Sequence, residues 1–205
     1  MNILYSEQSQ RTRSAELLVM VFVILLVGAM AFTTYRSISV GHILIAEYFI
    51  EIMALIVIVK QAVSRYTYIL TDSEFIIKEK SFFRNRTFSV KYDDIDGIYP
   101  YNRDFLTNLR YRYKYRKCST SDDRPIWFMV YSITKVKKVQ YGRVMLKADD
   151  AFYETLEQFV PNRVRVPEAD VVFYATVRAD AVKQGFDVKE YYDSLIKRAE
   201  EQEQE

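Results

Sequence analysis

The chain has 205 residues, half of them hydrophobic, and a formal net charge of +2. This length suits one domain of ordinary size with small additions, and so small a charge argues against a nucleic-acid-binding protein. The single histidine, His42, and the single cysteine, Cys118, exclude a zinc site and a Cys-His or Ser-His-Asp catalytic group. The five glycines form no dinucleotide-binding or P-loop motif. We therefore expect no enzymatic activity, no metal and no cofactor.

Two apolar runs near the N-terminus predict a transmembrane helical hairpin at residues 15–61. Residues 17–35 carry no charge, and residues 37–59 are interrupted only by Glu47 and Glu51. As a helix, each run is long enough for a hydrocarbon core of about 30 Å. The turn is expected at residues 36–41. A secretory signal cleaved near 29–31 is the competing interpretation, but the run is longer than a signal core and a second run follows.

The charges that flank the two runs predict their orientation. Arg11 and Arg13 precede the first run, Lys60 and Arg65 follow the second, and only Arg36 lies between them. The positive-inside rule then places both ends of the hairpin in the cytoplasm, including the segment 1–14. A lone cysteine allows no internal disulfide, which fits the same reducing compartment.

Residues 64–161 predict an antiparallel β domain closed by a helix. Alternating or continuous apolar patterns predict seven strands, at 64–71, 74–80, 85–92, 94–101, 109–119, 126–134 and 139–147. Asp149 or Asp150 can cap the helix, in which Phe152, Leu156 and Phe159 recur at helical spacing until Pro161.

Cations are concentrated in parts of this domain. In the fifth strand tyrosines 111, 113 and 115 should share one face, with the cations Arg110, Arg112, Lys114 and Arg116 on the other. This predicts either a strand with one solvated face or a strip that contacts phosphates or lipid headgroups. Further cations that could contact an anionic surface are Lys78, Lys80, Arg84 and Arg86, followed by Lys135, Lys137 and Lys138.

The segments "YTYILTDSEFIIKEKSFFRNRTFSVKYDDIDGIY" (66–99) and "DDAFYETLEQFVP" (149–161) resemble a known family. They are similar to bacterial two-transmembrane proteins with a pleckstrin-homology-like domain, the YcxB-like type. The resemblance implies a seven-stranded antiparallel barrel or sandwich with a C-terminal capping helix, held at the bacterial inner membrane for binding or scaffolding. The first hairpin turn, residues 71–74, carries two acidic residues and no basic one, which argues against phosphoinositide recognition there.

Carboxylates in the second apolar run suggest a further site. Glu47 and Glu51 lie one helical turn apart, and an acidic side chain in a membrane usually faces protein or water. They could line a polar seam in an oligomer, dock a basic residue of a partner helix, or bond within the hairpin itself. The clusters at 93–96 and 122–123 could bind a divalent cation, although turn and cap roles are favoured.

Residues 162–205 predict a helical extension with an acidic tail. From 168 to 205 there are ten acidic and five basic residues, a net charge of −5. A helix is expected from Glu168 to about Gln184, although 171–177 could be a strand, and Asp187 can cap a final helix. The apolar stripe of that helix, which includes Tyr191 and Leu195, either docks on the domain or binds a partner.

Two functions follow from these features. The favoured one is a non-enzymatic, membrane-anchored adaptor or scaffold. In it the cytoplasmic β domain and tail bind a protein partner or the anionic membrane surface. The alternative is a membrane effector gated by a ligand such as a cyclic nucleotide, which would oligomerise through its transmembrane hairpin.

Overall fold

The computed structural model describes residues 2–81, 85–101, 109–135 and 138–203. The chain begins with β1 (Ile3–Gln8), α1 (Arg13–Val40) and α2 (Ile45–Val63), continues through β2 (Arg65–Thr71), β3 (Glu74–Lys80), β4 (Asn85–Lys91), β5 (Ile95–Pro100), β6 (Tyr111–Arg116), β7 (Trp127–Lys135) and β8 (Lys138–Leu146), and ends with α3 (Asp150–Glu157), α4 (Glu168–Gln184) and α5 (Val188–Glu203). It is an α+β protein, as predicted, and all seven predicted strands are found within three residues of their expected ends.

Two four-stranded sheets enclose the main core. The first sheet has the order β1-β2-β3-β4 and the second β5-β7-β8-β6. Alternate residues of β2 and β3, such as Tyr68, Phe75 and Ile77, pack against Ile98 and Met129 of the second sheet. The helix α3 contributes further buried side chains to the same core, namely Phe152, Tyr153 and Leu156.

The prediction of seven strands is corrected to eight within the described residues. The additional strand, β1, lies in the segment 1–14 that was expected to be a simple cytoplasmic extension. It pairs antiparallel with β2, with Ile3 opposite Thr71 and Gln8 opposite Thr67. The two helices α1 and α2 are therefore inserted between two neighbouring strands of one sheet.

The prediction of a wholly antiparallel domain is wrong for β6. This strand pairs with β8 in parallel, at the edge of the second sheet. The chain leaves β5 at one edge of the sheet and returns at the other, so a crossover connection replaces a hairpin. A bulge between Tyr111 and Tyr113 also breaks the predicted alternation, since the extra residue turns the strand's later side chains to the opposite face.

Only α1 is long and apolar enough to cross a membrane among the described residues. The helix has 28 residues and is about 42 Å long. The second apolar run forms the helix α2, but α2 is not apolar enough to count as a candidate span, because Glu47, Glu51 and Lys60 interrupt its apolar sequence. The turn starts five residues later than predicted: α1 ends at Val40, and the next residue, Gly41, adopts the left-handed conformation with φ 77°.

The C-terminal helices follow the predicted boundaries closely. Asp149 caps α3 by accepting a bond from the amide of Phe152 at 2.8 Å, although α3 ends before Phe159. Residues 171–177 are helical rather than a strand. Their buried residues, among them Val171, pack on the outer face of the second sheet.

Buried ionic contacts hold β1 on the domain. The guanidinium of Arg124 pairs with Glu7 of β1 and, at 2.7 Å, with Asp122. Asp122 also accepts a bond from the amide of Gln10 at 3.1 Å. On the same face of β1 as Glu7, the hydroxyl of Tyr5 donates to the Asp149 carboxylate at 2.8 Å.

We expect Arg124→Met to lower the free energy of unfolding by about 3–5 kcal/mol, because it leaves two largely buried carboxylates without their cation. The matched control is Arg65→Met, which removes an exposed cation from β2 and should change the free energy by no more than about 0.5 kcal/mol. Urea unfolding in detergent, followed by the fluorescence of the single tryptophan, Trp127, measures both. Equal losses in the two variants would contradict the role given to Arg124.

Candidate functional site

The point where the helices leave the sheet carries a cluster of cations. We call this end of the molecule the hairpin base and define it by residues that lie at the starts of α1, β2 and β4 or at the ends of α2, β3 and β6. Its cations are Arg11, Arg13, Lys60, Arg65, Lys80, Arg86 and Arg116.

Strand register and a shared cavity bring these cations together. Arg65 lies directly opposite Lys80 in the β2–β3 pair, and Glu79 lies opposite Arg86 in the β3–β4 pair. Lys60 and Arg116 line one small cavity of about 120 Å³ beside the end of α2. Two carboxylates at this end are paired, Glu79 with Lys117 at 2.7 Å and Glu16 with Arg11 at 3.9 Å. The cations of the base outnumber its carboxylates, so the base remains positive.

The cations predicted to contact an anionic surface separate into two places. Lys80, Arg86 and Arg116 belong to the base, and Lys78 lies two residues further along the outer face of β3. Arg110 and Arg112 lie near the other end of β6, beside a cavity of about 400 Å³ lined by Gln140 and Tyr141. Arg84 and Lys137 lie outside the described residues.

The predicted strip of β6 is therefore not one continuous surface. From Tyr111 to Arg116 the strand spans about 17 Å, and the bulge divides its tyrosines. Tyr111 packs with the cluster of Tyr99 and Phe128 beneath α4, whereas the ring of Tyr115 lies 5.4 Å from Phe88 between the sheets. Arg110, Arg112, Lys114 and Arg116 are all exposed.

Polar contacts join α1 to α2 near their turn. Arg36 pairs with Glu47 at 3.2 Å, and the hydroxyl of Thr33 donates to Glu51 Oε1 at 2.8 Å. Thr33 is 3 % exposed and is the single buried residue among those that the structure describes in α1. Both carboxylates lie in the first two turns of α2. Their contacts correspond to the third interpretation above, bonding within the hairpin.

A buried ion pair fastens α4 to the second sheet. Arg178 Nε lies 2.7 Å from Asp96 Oδ1, with side chains 7 % and 0 % exposed. Ser132 donates to the other oxygen of Asp96, and Arg178 also donates to the carbonyl of Asp93 at 2.5 Å. Burial raises the pKa of Asp96 to about 6, against the opposing effect of Arg178.

This pair adjoins a cleft between β5, α4 and α5 with a volume of about 910 Å³. Arg163 lies at its wall, with its guanidinium 3.8 Å from the centre of the Tyr174 ring and one bond of 3.1 Å to the carbonyl of Ile95. Burial lowers the pKa of Arg163. Sequence reasoning missed the Asp96–Arg178 pair. The available signal was one charge in each of two apolar segments, 95–100 and 171–179.

The apolar stripe of α5 packs on α4, whereas the two predicted alternatives were docking on the β domain and binding a partner. Tyr192 lies 5.2 Å from the ring of Tyr174. Tyr191 stacks on Phe186 at 5.8 Å, and Leu195 is partly buried. The closest aromatic contact between α5 and α4 is therefore made by Tyr192, and not by Tyr191 or Leu195, the two residues predicted to bind a partner.

One carboxylate of each predicted acidic cluster is paired within the fold, Asp96 with Arg178 and Asp122 with Arg124. Asp122 is 1 % exposed and bonds Arg124 and the Gln10 amide, as described above. Asp93 and Asp94 form part of the 3-10 turn before β5. Among the residues that the structure describes, no group of three or more His, Cys, Asp or Glu side chains could hold a metal ion.

Comparison with protein-family models, curated proteins and solved structures found no match for this chain.

The titration of Asp96 gives a pH dependence with a definite sign. Its pKa in the folded protein, about 6, lies above the value of about 4 in an unfolded chain. The folded state therefore holds this proton more tightly, so the contribution of Asp96 to the free energy of unfolding is largest below pH 4 and is lost as pH rises to about 6.

We expect the stability of the wild type to fall, relative to Asp96→Asn, by about 2 kcal/mol between pH 4 and pH 7. Urea unfolding across this range measures the difference, with Asp72→Asn as the control for an exposed carboxylate. A difference between wild type and Asp96→Asn that does not change with pH would contradict the assignment.

Proposed function

We propose that the protein is a non-enzymatic adaptor anchored in the bacterial inner membrane by a two-pass hairpin. In this proposal α1 and α2 lie in the bilayer, and the β domain and both ends of the chain lie in the cytoplasm. The hairpin base contacts anionic headgroups, and the helices α4 and α5 recruit a protein partner. The resemblance to two-transmembrane proteins with a pleckstrin-homology-like domain is part of this proposal.

The observation that carries the proposal is the pairing of β1 with β2 on either side of the helices. Strands joined by hydrogen bonds lie in the same compartment. If α1 crosses a bilayer, α2 must therefore cross back before β2 begins. The 19 residues of α2 extend about 28 Å, close to the hydrocarbon thickness of about 30 Å.

Exposed apolar surface supports the placement of both helices in lipid. Side chains on α1 such as Ile24 and Leu25 are 63 % exposed, and Phe49 and Ile50 on α2 are 64 % and 67 % exposed. So large an apolar surface is unusual in water. The contacts of Glu47 with Arg36 and of Glu51 with Thr33 reduce the cost of polar groups in lipid, because each carboxylate has a partner inside the hairpin.

The helices α4 and α5 offer the face for a partner. Phe173 and Phe186 are 54 % and 58 % exposed on the side of the domain that Tyr191 and Tyr192 also border. Exposed aromatic side chains are typical anchors of protein interfaces. The ligand-gated alternative has less support, since both carboxylates that would line its oligomer seam already bond α1.

Cysteine labelling tests the two-pass arrangement. In a Cys118→Ser background, single cysteines replace exposed residues at Asn2, in the helical turn at His42, and on α4 at Lys183. We expect a membrane-impermeant maleimide to label 2 and 183 only in inside-out vesicles and 42 only in intact spheroplasts. Labelling of 2 and 183 from opposite sides would refute the proposal, as would release of the chain by alkaline carbonate.

The basic hairpin base gives a separate prediction. Each cation near an anionic leaflet contributes about 1 kcal/mol, so Lys80→Gln with Arg86→Gln should weaken the contact of the domain with the bilayer. The control pair, Lys135→Gln with Lys138→Gln, neutralises exposed residues at the opposite end of the domain.

Hydrogen exchange of β3 and β4 in nanodiscs, with and without phosphatidylglycerol, measures this contact. We expect anionic lipid to protect the base in the wild type and in the control pair, but not in the Lys80/Arg86 variant or at high salt. Equal protection in all three proteins would exclude contact through these cations.

A further inference from the structure

A groove opens between the two helices at the hairpin base. Its volume is about 520 Å³, within the range of sites that bind small molecules. On the side away from the domain it is lined by Leu18, Val19 and Phe22 of α1 and by Ile58 of α2. The opposite end, against the domain, is lined by Ser14, Thr120 and Asp123.

The geometry of the connection produces this groove. Neighbouring strands lie about 4.8 Å apart, whereas packed helices need 8–10 Å between their axes. The helices must therefore separate where they join β1 and β2. The loop 117–124 enters the resulting space and is held there by the amide of Thr12, which donates to the carbonyl of Ser121 at 2.9 Å.

We propose that this groove binds one acyl chain of a phospholipid with a zwitterionic amino headgroup, such as phosphatidylethanolamine. The inference rests on the proposed membrane anchoring of the hairpin. The groove is continuous with the lipid-facing surface, since Leu18 and Phe22 are 57 % and 52 % exposed. From Ser14 to Phe22 it follows α1 for about 12 Å, close to the hydrocarbon depth of one leaflet, about 15 Å.

Charges at the polar end select the headgroup. The carboxylate of Asp123 lines the groove and is exposed, so it can accept hydrogen bonds from an ammonium group. A guanidinium lies at the same end: Arg11 Nη2 donates to the carbonyl of Ala62, a lining residue, at 2.5 Å. A headgroup with one phosphate and one ammonium group matches both charges. A purely anionic headgroup would be repelled by the carboxylate of Asp123.

Filling the groove tests the inference. Ala62→Phe places a ring among the lining residues, and Ala46→Phe is the matched control on an exposed position of the same helix. Each protein is inserted in nanodiscs that contain phosphatidylethanolamine and phosphatidylglycerol. Native mass spectrometry then counts the lipids that remain bound when the protein is released.

We expect the wild type and Ala46→Phe to retain one phosphatidylethanolamine per chain, and Ala62→Phe to lose at least about tenfold in occupancy. Lost contact with two methylene groups already accounts for a change of that size. Asp123→Asn should remove the preference for phosphatidylethanolamine over phosphatidylglycerol, whereas the control Asp72→Asn should keep it.

Equal lipid retention in Ala62→Phe and Ala46→Phe would overturn the assignment of the groove as a lipid site. An unchanged preference for phosphatidylethanolamine in Asp123→Asn would overturn the choice of headgroup. In both cases insertion of all variants into nanodiscs leaves the anchoring proposal standing. A wild-type chain that does not enter nanodiscs overturns the anchoring, and this inference with it.

Discussion

The pairing of β1 with β2 is the constraint on which the rest of the structure depends. Six residues at the start of the chain complete the first sheet, and the two longest apolar segments are enclosed between them and their partner strand. The pairing fixes where the helices begin and end relative to the domain, and it brings cations from six elements to one end. Because a strand alone stabilises little, β1 depends on side-chain bonds to the rest of the domain, chiefly Glu7 to Arg124 and Tyr5 to Asp149.

Buried polar pairs connect the apolar layers of the structure where these layers meet. Arg124 joins β1 to the loop before β7, Arg178 joins α4 to β5, and Thr33 with Glu51 joins α1 to α2. Apolar packing supplies most of the free energy at such junctions but specifies position weakly, whereas a bonded buried pair is satisfied in one arrangement only. We therefore interpret these pairs as determinants of the relative position of the layers, as the proposed membrane-anchored adaptor would require.

Much of the architecture could be predicted from local pattern. Strands β2 to β5 and β7 to β8 were recoverable because alternation and turn residues are local signals, and the caps at Asp149, Gly185 and Asp187 follow from helix-end chemistry. Strand β1 was missed because "ILYSEQ" is short and its partner lies almost sixty residues away. The parallel placement of β6 and its bulge depend on which sheet edge is free, and the partners of Glu47, Glu51 and Asp96 depend on packing. None of these features can be predicted from a short stretch of sequence.

The central claim is that β1 is paired with β2 while the helices between them lie in the membrane. Disulfide formation tests it directly in native membranes of a Cys118→Ser chain. Gln8 and Thr67 are opposite each other in the register, so Gln8→Cys with Thr67→Cys should form an intramolecular disulfide under mild oxidation. Thr87, on β4, lies two strands further away, and Gln8→Cys with Thr87→Cys should not. Absence of the first crosslink, or equal formation of both, would contradict the account.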